Sequence, residues 1–513
     1  VKARTYQEFK HSGVVTDRPP EEVAPTSWTG GKNVLFEDKA TRRVGGYAAM
    51  SGTPSVAPIF SVNVVVGVVS YWVYCSTSQV WVTDGATHWN ITPTGGLAAC
   101  NVGEWAATLL NGIPCFTNGI NAPFYWGLQT GTPCATLPGW PAGASCRSIR
   151  AFKFHLFALN VFDGLQQLAS TLWWSAAAAP GNVPAEWVPS STNDAGDLEL
   201  ADTPGAIVDG LGLRDSLLVY KDNATYAINY VAGQYVYTQR RMFLSTGLAS
   251  NSCVVEVNGQ HYVFNGSDVI RHDGQNWASV VQDKIKNDIA TTVDPSKVEW
   301  SCVVANIRTQ QLWVCIATQG SPYLNRAWVI NMLTGDCGER ELPNVCHVAR
   351  GVVIDNPAGI AWDTDTETWA EDITTWDQSA YSPNADNLVM SDQDSIKLWA
   401  VDLADTADGQ PINAYVERLS VPVGEALLRS LVTRVVPRLQ GEPGDIINIR
   451  VGGQAFFDQP ITWSDPQPFT IGSSVAISCL VEGRLISVRF EGTTERVWQI
   501  FSYRLGVVDR GLY

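Results

Sequence analysis

The chain has 513 residues, 45% of them apolar and 10% aromatic, so global disorder is excluded and a large core can form without disulfides or metals. Charged residues reach only 16%, and 34 Lys and Arg against 50 Asp and Glu leave a net charge of −16, which argues against a basic nucleic-acid binder. At ~150 residues per domain the length corresponds to about three domains, or to one large repeat domain with smaller parts.

Val1 to Glu8 has charge but no apolar run behind it, so no signal peptide is expected. The first 43 residues carry eight bases and six acids, and residues 1–45 are predicted to be an N-terminal arm or docking segment. From Val44 to Cys146 there is no Lys or Arg, and the acids are Asp84 and Glu104. So long a stretch with only two charges must be deeply packed or covered by neighbours. Its longest apolar run, near Val62–Cys75, is interrupted by Asn63, Gly67 and Ser70 and is too short to span a bilayer as a helix.

Short β-rich runs alternate with turn signals through the body of the chain, an all-β pattern. Helices are predicted only near Ser279–Ala290 and Gly424–Leu431. Asn-Gly begins at 111, 118, 258 and 265, and Asp-Gly at 84, 163, 209, 273 and 408. Both dipeptides suit the left-handed positions of tight hairpins. Asn111–Gly119 and Asn258–Gly266 are each a turn, a five-residue strand and a turn, offset by 147 residues, or three units of 49.

Strand–turn–strand units begin near Tyr71, Gly112, Phe154, Ser216, His261 and Gln311, with a seventh candidate at Val348–Trp362. Meanders repeating every ~40–50 residues indicate a β-propeller of six or seven blades over residues 46–345. Residues 346–410 are an acidic Trp/Asp-rich connector or a last blade. From Asp355 to Gln410 thirteen acids meet one base, Lys397. Residues 411–513 hold about eight short alternating runs, with ten Arg, no Lys and ten acids, and are predicted to be a β-sandwich or barrel.

The sequence contains no phosphate-binding loop, zinc-protease helix or nucleophile elbow. Its eleven cysteines include no C-x-x-C, the nearest spacings being Cys134/Cys146 and Cys337/Cys346; buried free thiols are expected rather than a zinc ribbon or a disulfide framework. Six histidines are scattered, with His155 and His261 inside predicted strands. Asp363-Thr364-Asp365-Thr366-Glu367 opens like a calcium loop but has Thr368 where glycine is required and Thr374 at the closing position, so no metal is assigned. A glycosidase would need two carboxylates flanking a pocket; Asp202, Asp209 and Asp215 cluster in sequence, yet read as turn residues. No catalytic residue, cofactor site or metal site is therefore expected, and the chain is not expected to be an enzyme.

One stretch carries a family resemblance. Leu211-Gly212-Leu213-Arg214-Asp215-Ser216-Leu217-Leu218-Val219-Tyr220-Lys221-Asp222 is followed by Thr225–Ile228, Tyr230–Gly233, Arg240-Arg241 and Gly247–Ser250. Gly259–Phe264 and Asp268–Gly274 close it, and Trp173–Ser175, Pro184–Trp187 and Asn118–Trp126 precede it. This order resembles the tail nozzle proteins (tail tubular protein B, or tail stabilisation proteins) of short-tailed bacteriophages, most clearly over residues 110–275. The resemblance implies a structural virion protein, assembled in the host cytoplasm, of which six copies form the distal tail tube. It also implies docking to the tail adaptor ring, attachment sites for fibres or spikes, and retention and channelling of DNA without specific binding. No enzymatic residue is carried over.

An acidic chain suits a DNA conduit, because carboxylates repel phosphates. Asp363, Asp365, Glu367, Glu371, Asp372 and Asp377 are the candidate channel or docking residues. The alternatives are a glycan-hydrolysing propeller, phage-borne or free, and a monomeric glycan-binding propeller.

Overall fold

A computed structural model describes residues 4–5, 12–37, 40–50, 52–67, 69–231, 236–244, 246–353, 386–423 and 429–511. Among them, seven four-stranded antiparallel meanders form the blades of a propeller. Blades 1 to 6 span residues 60–90, 106–136, 145–199, 207–244, 254–279 and 302–345 in chain order. Blade 7 takes His347–Val352, Asp386–Asp392 and Lys397–Val401, and its outermost strand is Tyr47–Ala49, from before blade 1. Trp399 faces Ala49 and Val401 faces Tyr47 in that pairing, so the two ends of the propeller segment clasp each other in one sheet.

The six predicted repeat starts all fall on or beside the second strand of blades 1 to 6. The Asn-Gly offset is explained by phase: Asn111-Gly112 and Asn258-Gly259 are the same inner hairpin turn three blades apart. All four residues have positive φ, from 52° to 80°, as a two-residue turn between twisted strands requires. Blade 3 departs from the regular spacing because residues 175–195 run between its third and fourth strands.

A small blade has two apolar faces and cannot bury either alone, so the core is divided among the seams. Trp105, just before blade 2, and Phe116 within it pack with Val64 and Val73 of blade 1, and Ile149 and Leu156 of blade 3 pack with Leu110 and Cys115 of blade 2. At the closing seam Trp72 and Tyr74 of blade 1 meet Ala349, Val389 and Ala400 of blade 7. There the Trp72 indole donates to Val352 O at 3.0 Å and Ser391 Oγ lies 2.9 Å from Ser61 Oγ. All eleven cysteines are buried and unbridged.

A β-sandwich follows, but it is not made from residues 411–513 alone. Gly30–Lys32 joins the sheet of Ile412–Pro422, Leu485–Thr494 and Ile446–Gln454. Val34–Glu37 and Ala40–Arg43 join the sheet of Gln499–Gly511, Arg429–Gln440 and Ile477–Gly483. Val14, Trp28 and Val34, at 0–2% exposure, sit in one core with Val416, Ile449, Phe490 and Trp498. The segment predicted as an arm is therefore part of the sandwich: Arg4–Thr5 already pairs with Val507 and Gly506 of the C-terminal strand. Val34 also pairs with Glu339, which makes the outer strand of blade 6 continuous with the sandwich. Strands of three or four residues carry too little periodicity to reveal which sheet they join.

The helices also differ from expectation. Residues 277–279 are a strand, and the helix is Lys286–Thr292. Arg429–Gln440 is a strand paired along the C-terminal strand, while residues 424–428 lie outside the described residues.

Deleting residues 1–45 is expected to abolish cooperative unfolding of the sandwich. Each lost side chain such as Trp28 or Val34 forfeits roughly 1.5–3 kcal/mol of burial, and a domain has only about 5–15 kcal/mol in total. Circular dichroism melts and limited proteolysis measure this. A dispensable arm would leave both unchanged.

Candidate functional site

The innermost strands bring a polar cluster to the propeller axis. Ser145–Phe152 of blade 3 places Ser148 and Arg150 on one face by strand alternation, and Ile207–Leu213 of blade 4 supplies Asp209. Asp209-Gly210 is thus not a turn: Asp209 pairs with Tyr220 and Gly210 with Val219 inside the sheet. The Asp209 side chain is fully buried. It accepts from Ser148 Oγ at 2.6 Å, from Arg150 Nε at 2.8 Å and from Arg150 Nη2 at 2.5 Å.

Arg150 also donates to Ala107 O of blade 2 and to Asn251 O before blade 5, each at 2.8 Å. Asn251 Nδ2 donates to Trp105 O at 3.0 Å. Blades 2 and 5 are not neighbours, so this bond crosses the axis. A bidentate guanidinium–carboxylate pair with four of its five N–H donors engaged is a rigid cross-brace. It ties four blades together.

The other two acids of that sequence cluster stay apart in role: Asp202 and Asp215 are exposed in turns. Asp209, whose lone pairs are already engaged by Arg150 and Ser148, is not available as a free catalytic carboxylate. Among the described residues no group of three or more His, Cys, Asp or Glu is arranged to hold a metal ion. No helix of the described residues is long and apolar enough to cross a membrane.

A second buried polar cluster links blades 4 and 5. The Tyr220 hydroxyl lies 2.6 Å from His261 Nδ1 and 2.8 Å from His272 Nε2, and His261 Nε2 lies 3.0 Å from Gly212 O. The carbonyl can only accept, so His261 Nε2 carries the proton and its Nδ1 accepts from Tyr220. Tyr220 has one proton to give, so His272 Nε2 must donate to it. Burial holds both imidazoles neutral, pushing each down to about 4, and His261 lowers His272 further in the same direction.

The candidate residues Asp363, Asp365, Glu367, Glu371, Asp372 and Asp377 lie outside the described residues. The described remainder of the acidic region is largely neutralised. Asp386 pairs with Arg350, Asp402 with Arg340 at 2.7 Å, Asp405 with Arg496 at 3.4 Å and Asp408 with Lys397 at 3.3 Å. Asp392 accepts the Trp399 indole at 2.9 Å. Arg340, at 2% exposure, also donates to Gly45 O and Gly46 O. It lines a cavity of about 280 Å³ between propeller and sandwich, with Asn33, Tyr47, Glu341 and Asn413.

The charge-poor stretch proves to hold blades 1 and 2, with Asp84 and Glu104 as its acids. Its surface is built of Thr, Asn, Gly, Pro and Ala, with Val65, Val69, Leu109 and Ile120 exposed by 37–47%.

No protein-family model and no curated protein matches the sequence. Solved structures similar to it include YCF48 bound to a D1 peptide, at 9% identity over 70% of this chain and 97% of the other, TM-score 0.37. The WD40 β-propeller domain of Doa1 is similar at 9% identity over 70% and 96%, TM-score 0.39. The exo-β-1,3-galactanase from Phanerochaete chrysosporium is similar at 9% identity over 90% and 100%, TM-score 0.26. These likenesses reach no further than the arrangement of strands, and the propeller is defined by the blade topology above.

Proposed function

We propose that this chain is a structural subunit of a short-tailed phage tail, the nozzle, acting as one member of a ring. The observation that carries the reading is the partition of charge. A chain with net charge −16 keeps a surface two blades wide almost free of it. Uncharged polar and apolar surface of this kind suits broad protein contacts, since no ion must be desolvated to cover it.

The braced axis supports the same reading. With Arg150 and Asn251 crossing it, a conduit would be formed between copies and not through one propeller. Docking to an adaptor ring and to fibres or spikes belongs to the same proposal and follows from the sequence resemblance.

Immunogold electron microscopy of particles from the source culture tests it. Label at the tip of a short tail is the expected result. Label absent from particles, with antigen only as free protein that turns over or binds glycans, would replace the nozzle by the glycan-acting alternatives.

A further inference from the structure

The outer face of the sandwich sheet formed by Arg429–Gln440 and Gln499–Gly511 is cationic in an acidic chain. Val436 pairs with Arg504, Arg434 with Gly506 and Arg438 with Ser502 in continuous register. Directly opposed residues share a face, so Arg434, Arg438 and Arg504 project together, while Val435, Tyr503 and Leu505 fill the core behind them. All three arginines are exposed, as is Arg510 further along the same strand. No described acid forms an ion pair with any of the four. The Arg434 stem crosses Gly506, where an added Cβ would come within 2.8 Å of its Cγ. Arg438 rests on the Phe501 ring at 5.3 Å.

Residues two apart on a strand are separated by roughly 6.6–6.8 Å, and neighbouring strands by about 4.8 Å. Arg438, Arg504 and Arg434 therefore follow one another in steps of roughly 7–8 Å. An extended peptide with a carboxylate at every second residue repeats on nearly the same step. The chain's own sequence spaces acids in this way at Asp363-Thr364-Asp365-Thr366-Glu367, with no base between Asp355 and Asp386.

We propose that the Arg434–Arg438–Arg504 face binds this acidic peptide of a second copy, in a register of guanidinium against alternate carboxylate. The exposure of the arginines in the single chain leaves the face open to a partner. The net charge of −16 disfavours nucleic acid, which the rest of the surface repels. The proposal rests on the ring reading in that a second copy supplies the peptide.

The test is fluorescence anisotropy of a labelled peptide with the sequence of residues 361–369, titrated with the full chain. Saturable binding is expected, weakened several-fold when salt rises from about 50 to about 300 mM. R434Q, R438Q and R504Q should each cost roughly two- to five-fold, and the triple variant about ten-fold or more. These side chains are exposed, so the variants should melt like the parent. A peptide with Asn and Gln for its acids should not bind, and a Lys-bearing peptide should bind R434E/R438E/R504E instead. Binding indifferent to the triple variant would overturn the proposal. So would tighter binding of a single-stranded oligonucleotide of equal charge, which would make the face a phosphate site. Sedimentation separates the two readings: rings that form equally well from the triple variant overturn this interface alone, whereas a strictly monomeric chain that still binds the peptide keeps the face and loses the ring.

Discussion

Arg150→Ala is expected to destabilise the propeller by about 3–5 kcal/mol, the cost of leaving a buried carboxylate without its partner. Asp209 is fully buried and its described hydrogen-bond partners are Arg150 and Ser148. The same substitution removes the donors to Ala107 O and Asn251 O, so blades 2 and 5 lose their tie through this residue as well. Arg150→Lys should recover only part of the loss, because an ammonium cannot hold both carboxylate oxygens in the plane of a fork. Replacing both partners, as Arg150→Met with Asp209→Leu, should cost much less than Arg150→Ala alone, since no unpaired charge remains. Urea unfolding followed by tryptophan fluorescence measures all three. A brace without energetic weight would show equal midpoints for parent and Arg150→Ala.

Acid is expected to loosen the seam between blades 4 and 5 before general acid unfolding. His261 and His272 have folded-state pKa values of about 4, below the ordinary value of 6.5, because burial disfavours their charged forms. Glu256 and Asp273 pull the other way but less strongly. A depressed pKa means that the unfolded chain binds protons first as pH falls. The stability is therefore complete above pH 6.5 and drains away as pH drops toward about 4. Each imidazole accounts for on the order of 2–3 kcal/mol across that window. Hydrogen exchange at pH 7 and pH 4.5 should show faster opening of Ser216–Lys221 and Gln260–Phe264. His272→Phe should flatten part of the slope. A pH-independent melt between 7 and 4.5 would show that these rings titrate normally.

Much of the architecture was legible in the sequence because hairpin chemistry is local. Asn111-Gly112 and Asn258-Gly259 declare their turns through backbone sterics alone, and the spacing between them counts blades. The alternating runs of the last hundred residues likewise declare strands, since a sheet with one buried face imposes a period of two. The scarcity of charge in blades 1 and 2 could be read without any structure at all.

The polar clusters were not legible in the same way. Asp209-Gly210 has the letters of a turn, yet Ile207, Val208 and Leu211 around it continue a strand, and that apolar context was the available signal. Its partner Arg150 lies 59 residues earlier, and no local pattern connects residues so far apart. The same holds for Tyr220 and His261, which are 41 residues apart and meet only when two blades stack.

The all-β class, the repeat and its phase, the charge-poor blades and the acidic stretch that follows them are all written in local sequence. These depend on period, turn propensity and composition, which neighbouring residues settle among themselves. Long-range pairing alone sets the blade number at seven, closes the ring with Tyr47–Ala49, and completes the sandwich with Arg4–Thr5 and strands from residues 12–43. The same kind of pairing puts Arg434, Arg438 and Arg504 on one face. Each of these is a pairing between distant strands, and strand edges are chemically alike, so the choice of partner is made by the fit of whole buried faces rather than by any residue in the strand itself.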